Sequence, residues 1–252
     1  MRISIITVCL NNRTTIRDTI DSVLAQSHTD LEYLIIDGGS GDGTLEIVEQ
    51  YRQHVAKIVS EPDAGIYDAM NKGIALATGD LIGMLNADDT YADNAVLADV
   101  AAIFSDPAVD ACYGDLVYVA SRNPEQVVRY WRAGELDLKR LYQGWVPPHP
   151  SFFLRTEAYR QYGGYLASFR LAGDYELLLR MLLRHTLGCA YIPRVLVRMR
   201  TGGASNRNLG NIIAANREAW RAWSINGLAI TPWQFLRKPI SKIRQYFTRP
   251  CS

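Results

Sequence analysis

The chain has 252 residues, 48% of them hydrophobic and 21% charged, which is enough to bury a sizeable core as one large domain of ordinary globular composition. A net charge of +1 excludes a globally basic nucleic-acid binder, and no apolar run approaches the ~20 residues that a membrane-spanning helix needs. Four cysteines, Cys9, Cys112, Cys189 and Cys251, are far apart and form no CxxC pair, which argues against a disulfide framework or a zinc site and for a cytoplasmic setting.

Ile3 to Cys9 is apolar and β-branched almost throughout, as a strand buried on both faces requires. With only Arg2 before it and no small-residue cleavage site after it, it is read as a first strand and not a signal peptide. Asn11 and Asn12 stop it, and Thr15 to Ala25 continues with Ile16, Ile20, Val23 and Leu24 at helical spacing. Leu31 to Ile36 is a second buried strand ending at Asp37 and GGSGDG, followed by a helix over Thr44 to Tyr51. Lys57 to Ser60 fits a third strand, EPDAG a loop and Ile66 to Ala77 a third helix. Leu81 to Leu85 is a fourth strand, leaving into Asn86, Asp88 and Asp89. Strands alternating with helices predict a parallel, doubly wound α/β sheet.

After Asp89 the alternation loosens. A helix is expected over Asn94 to Phe104 and strands at Ala111 to Tyr113, Val117 to Ala120 and Val127 to Trp131, with irregular chain from Ala133 to Pro150. A strand at Ser151 to Leu154, a helix over Thr156 to Tyr162 and an apolar helix over Asp174 to Arg184 follow. Strands at Cys189 to Ile192 and Val195 to Met199 and helices at Asn208 to Trp223 and Trp233 to Tyr246 complete the chain.

The glycines after the second strand do not make a dinucleotide fingerprint, because Glu46 stands where the third glycine belongs and the loop follows the wrong strand. No GxxxxGK loop occurs either. What remains is a set of acids at strand ends, Asp37, Glu61, Asp63, Asp88 and Asp89, all expected at one edge of a parallel sheet, where ligands bind. Asp88 and Asp89 repel each other; a hard divalent cation relieves that, although Asp and Asn also suit a plain turn or helix cap. Together the acids argue for a metal-dependent nucleotide site, the metal neutralising a leaving diphosphate.

The stretches ITVCLNN, LIIDGGSGDGT, EPDAGIYDAMNKGIALATGD and LNADD, with the later HPSFFLR and GDYELLLR, give the chain a resemblance to the family 2 glycosyltransferases of the GT-A fold. The resemblance is close from Met1 to about Gly114 and looser from about Val146 to Ser205. It implies a GT-A-like, mostly parallel doubly wound sheet with a C-terminal acceptor-side region and a helical tail. It also implies inverting transfer of a sugar from a nucleotide-diphosphate sugar to a glycan or lipid-linked acceptor in surface polysaccharide biosynthesis. Residue by residue, Asp88 and Asp89 match the family's diphosphate and metal acids (Mn2+ or Mg2+), Asp37 its nucleotide-contacting acid and Asp174 its general base. Thr7, Glu61 and Asp63 fall on the nucleotide side. Departures are Leu10 in place of an aromatic, Gly38 and Gly173 in place of acids and Met70 in place of an arginine. The other readings are a nucleotidyltransferase and a sugar-nucleotide-binding protein without catalysis.

Asp174 at a helix start is also a good N-cap. His149, set between prolines, could bind acceptor or metal, though a lone histidine is more often structural. Arg198 and Arg200 could clamp a phosphate or form a solvated face, and Arg180 reads as structural. From Ala219 onward six cations and no acid accompany Trp233, Phe235, Leu236, Ile240, Ile243 and Phe247, the pattern of a basic amphipathic segment at the inner, anionic face of a membrane, or of a helix packed on the core. The expected organisation is therefore a domain over residues 1–227, with a nucleotide-sugar half (1–114) and an acceptor half (115–227), and a basic tail over 228–252.

Overall fold

The computed structural model describes residues 1–202 and 209–229; the expected helix at Trp233 to Tyr246, Cys251 and nearly all of the basic tail lie outside the described residues. Its first third alternates as expected: β1 (Ile3–Cys9), α1 (Ile16–Leu24), β2 (Leu31–Asp37), α2 (Thr44–Glu49), β3 (Lys57–Ser60), α3 (Ile66–Leu76) and β4 (Leu81–Met84). There follow β5 (Thr90–Tyr91), α4 (Val96–Ile103), β6 (Ala111–Ala120), β7 (Asn123–Trp131), α5 (Leu138–Tyr142), β8 (Phe153–Arg155), α6 (Thr156–Tyr162), α7 (Gly173–Leu179), β9 (Cys189–Arg200) and α8 (Leu209–Ile225).

The nine strands among the described residues form one sheet, in the order β3-β2-β1-β4-β8-β6-β9-β5, with β7 added on β6. β1 to β4 pair parallel, so their carboxyl ends share one edge. β8 enters antiparallel between β4 and β6, while β6 and β9 run parallel. Successive residues of β1 feed opposite layers: Ile3, Ile5 and Cys9 join a core with α1 and α4, and Ile6 and Val8 join one with α3 and α7. That two-sided burial is why the first strands read as unbroken apolar runs.

The structure corrects the expected elements of the second half. The two short strands expected on either side of Gly114 are one strand, β6, and those around Cys189 and Val195 are one strand, β9. The register slips between Gly114 and Asp115 where Ile192 and Val195 are the partners, so Pro193 and Arg194 bulge out without ending the strand. The apolar helix starting at Gly173 passes into a single π-helical turn at Arg180–Arg184. α5 arises inside the stretch expected to be irregular, where Asp137 accepts from Lys139 N (2.8 Å) as its N-cap. The expected boundary between residues 114 and 115 falls within β6, opposite the bulge of β9, and residues on both sides of it belong to one sheet.

Glycine at 83 keeps β4 against β8. A Cβ there would lie 2.5 Å from Phe153 Cε1 and 3.1 Å from Ile5 Cδ1, both on fully buried side chains. Gly83→Ala is therefore expected to destabilise the protein by about 1–3 kcal/mol, seen as a lower guanidinium midpoint at unchanged m-value. An unchanged midpoint would show that this contact has slack.

Candidate active site

The carboxyl edge of β1 to β4 is where the acidic residues gather, and the loops there are sewn to one another. Asn11 N donates to Ser40 Oγ (2.8 Å), Gly41 N to Asn11 Oδ1 (3.0 Å), Asn12 N to Thr44 Oγ1 (2.8 Å) and Arg13 N to Asp42 Oδ2 (3.1 Å). Asn11 takes φ 56°, a left-handed conformation that asparagine tolerates, which is why an amide residue ends this turn.

Asp37 is fully buried at the centre of this weave. It accepts from Gly39 N (3.2 Å), Ser40 N (3.0 Å), Ser40 Oγ (2.5 Å) and Ser60 Oγ (2.7 Å). Burial alone would raise its pKa, but these donors outweigh burial and hold it below the usual value. Its carboxylate therefore shapes the loop from within. Asp63 reaches the same place from the next loop, with Oδ1 accepting from Gly65 N (2.8 Å) and Oδ2 filling the space that a side chain at Gly38 would need.

One nucleotide-side expectation is corrected. Thr7 is fully buried in mid-sheet, 3.0 Å from the Tyr33 hydroxyl, and so cannot meet a ligand. Glu61, expected on the same side, is exposed and paired with Lys72 Nζ (2.9 Å).

At the end of β4 the acidic pair is taken out of water. Asp89 is fully buried; its Oδ1 accepts from Arg200 N (3.2 Å) and its Oδ2 from Asn86 Nδ2 (3.4 Å), while its carbonyl accepts from Thr19 Oγ1 (2.8 Å). Asp88 is half-buried beside it. Burial, and then the Asp88 charge, push the Asp89 carboxyl well above the usual range, and burial raises Asp88 too. Arg200 is 6% exposed and opposes both shifts, but its guanidinium is engaged by Asp18 (2.5 Å), so it braces the loop where a phosphate clamp was considered. Arg198 is likewise engaged, donating to Pro124 O (2.8 Å).

The donor set suits a hard cation. Asn86 Oδ1 is buried without a partner, and with Asp88 and Asp89 it makes three oxygen-bearing side chains within four residues. Among the described residues no group of three or more His, Cys, Asp or Glu side chains could hold a metal alone. A Mg2+ or Mn2+ ion here would complete its shell with phosphate and water, which is how such ions sit on nucleotides.

Asp174 lies at the same edge. α3 begins where the β3 loop ends, and Tyr67 in its first turn donates to Asp174 Oδ1 (3.3 Å). Asp174 is half-buried. The expectation that it caps its helix is overturned: α7 begins one residue earlier, Ala172 is the N-cap residue, and no side chain of the segment caps it. His149 Nε2 is 2.8 Å from the Tyr165 hydroxyl; burial lowers its pKa, against the opposing charge of Asp174. Arg180 is structural as expected, bound through two contacts of 2.9 Å to the fully buried Glu176 and to the carbonyls of Gly163 and Gly164. Asp115, a possible alternative base, is excluded by burial, with its oxygens engaged by Tyr130, Tyr191 and Ala133 N. Sequence reasoning missed Tyr67 and Tyr165, whose contacts with Asp174 and His149 span too many residues for any local pattern to reveal.

A carboxyl raised in the folded state stabilises while protonated and loses that contribution as pH rises through its folded pKa. Removing the charge of Asp89 should then help the cation-free protein. Asp89→Asn is expected to raise its Tm at pH 7 by about 2–4 °C, the shift that about 1 kcal/mol gives in a domain of this size, and to abolish any rise in Tm with Mn2+. A variant that responds to Mn2+ as the wild type does would contradict this assignment.

Residues 4–163 match the family described as Glycosyl transferase family 2. Among curated proteins, a PGL/p-HBAD biosynthesis glycosyltransferase of Mycobacterium bovis is 32% identical over 208 residues, covering 81% of this chain and 78% of that protein. Among solved structures, TarS of S. aureus superposes with a TM-score of 0.71 at 19% identity over 97% of this chain and 73% of that one. A mannosyltransferase of Pyrobaculum calidifontis, in complex with GDP-Man and Mn2+, gives 0.64 at 17% identity over 99% and 76%. At such identities these structures establish the fold, a GT-A-type α/β sheet, while the sequence match over most of the chain establishes kinship: the protein belongs to glycosyl transferase family 2.

Proposed function

We propose that the chain is an inverting, metal-dependent glycosyltransferase that moves a sugar from a nucleotide-diphosphate sugar to a glycan or lipid-linked acceptor. The observation that carries this reading is the meeting, at one sheet edge, of a buried acidic loop with an unpartnered oxygen and a half-buried aspartate. TarS has been crystallised with UDP-GlcNAc and the Pyrobaculum enzyme with GDP-Man and Mn2+, which supports a donor of that class.

Asp88 and Asp89, with Asn86, would hold the divalent cation, which when bound neutralises charge developing on the leaving diphosphate. The loop organised by Asp37 and the Asp63 carboxylate would bind the nucleotide, and residues 1–114 would form the donor half. Asp174 takes the proton of the acceptor hydroxyl as that oxygen attacks from the face opposite the leaving group. Residues 115–227 would supply the acceptor half.

We further read the C-terminal region as a contact with an anionic membrane on the cytoplasmic side. The outer face of α8 exposes Ile213, Arg217 and Trp220, and the chain beyond Ala219 contains no acid. No helix among the described residues is long and apolar enough to cross a membrane. A chain ending at Ala229 is expected to lose at least half of its sedimentation with anionic vesicles while keeping activity on a soluble acceptor; equal sedimentation would remove the membrane contact from the account.

The decisive substitution is Asp174→Asn. It leaves size and hydrogen-bonding capacity nearly intact but cannot take a proton, so transfer should fall about a hundredfold to ten-thousandfold with donor affinity unchanged. More than about a tenth of the wild-type rate would remove Asp174 from the role of base.

A further inference from the structure

The first turn of α7 leaves backbone N–H groups without intrahelical partners, and its own N-cap residue, Ala172, supplies no side-chain oxygen. Tyr67, 107 residues earlier in the sequence, packs against that turn. Its hydroxyl donates to Asp174 Oδ1 at 3.3 Å.

The ring is fixed from several sides. Tyr67 is 6% exposed and stacks on Tyr165 with centroids 5.4 Å apart. The Tyr165 backbone is clamped in both directions by the Asn71 amide (2.8 Å each), and its hydroxyl is held by His149. On its far side Tyr67 lies so close to α7 that a Cβ on Gly173 would stand 2.7 Å from ring Cε2 and 2.8 Å from Cζ. A stacked ring cannot yield as a flexible chain end would, so the glycine and the tyrosine are one arrangement.

We propose that Tyr67 is a positioning residue for Asp174: its hydroxyl, on a ring fixed by Tyr165 and Gly173, occupies Oδ1 and turns Oδ2 toward the acceptor hydroxyl. This rests on the reading of Asp174 as the base. Burial, and then the Asp174 charge, raise the Tyr67 phenol, so it stays protonated and donating throughout the working pH range. Tyr165 and His149, the other titratable groups that sense the Asp174 charge, are held by each other and leave the donor role to Tyr67.

Tyr67→Phe keeps the ring, its stacking and its packing on Gly173, and removes only the hydroxyl. With a nucleotide-sugar donor at a temperature well below Tm, kcat should fall about tenfold, the lower end expected for losing a hydrogen bond to a charged group, while the donor KM stays within twofold. In an Asp174→Asn background the same substitution should change the residual rate less than twofold, because the carboxylate through which Tyr67 acts is gone. A wild-type kcat in Tyr67→Phe, a loss carried by donor KM, or an equal fold-loss in both backgrounds would each overturn the proposal. Should Asp174→Asn itself retain the wild-type rate, the failure belongs to the assignment of the base.

Discussion

Two neighbouring carboxylates held out of water at the end of β4 are the constraint on which the site depends. One buried carboxylate is unfavourable without a partner, and a second beside it adds repulsion. The protein supplies partial compensation: the Arg200 backbone N–H and the Asn86 amide donate to Asp89, and the Arg200 guanidinium stands near both acids. It is partial because that guanidinium is shared with Asp18 on α1. β5, only two residues long, pairs with β9 at Thr90 and Arg198 and so fixes the loop to the strand that carries Arg200. The surplus of negative charge and the unpartnered Asn86 oxygen are what a divalent cation with a diphosphate would satisfy.

The opposite wall of the site obeys a different logic, in which aromatic groups hold one accessible charge. Tyr67, Tyr165 and His149 form a chain of stacked and hydrogen-bonded rings ending at Asp174. Behind it, Glu218 accepts from the backbone N–H groups of Arg170, Leu171 and Ala172, and the buried Glu176–Arg180 pair ties α7 to the end of α6. The approach to α7 is thus fixed by α8 and its first turn by α3, so Asp174 is set by contacts from elements more than forty residues away in sequence on either side.

This separation explains what could be read from the sequence. The strands β1 and β3 and the helix α6 match their expected spans because local apolar runs and periodicity define them. The acids at strand ends were legible because a parallel sheet puts all carboxyl ends on one edge. β6 and β9 read as four short strands because Gly114 and Pro193 look like terminators, and only their pairing with each other shows a bulge. Thr7 looked like a ligand residue from its place in a motif, while its side-chain direction follows from strand parity and leads into the core. Tyr67 lies in one of the stretches that carry the resemblance, but its role was not legible, since it rests on a contact 107 residues away.

The central claim, that the acidic loop is completed by a cation shared with a nucleotide diphosphate, is tested most directly by calorimetric titration of the wild-type protein with UDP and with GDP, in Mn2+ and in excess chelator. The account predicts that at least one of the two binds in Mn2+ and loses at least tenfold in affinity in chelator. Equal affinity in the two conditions would contradict it.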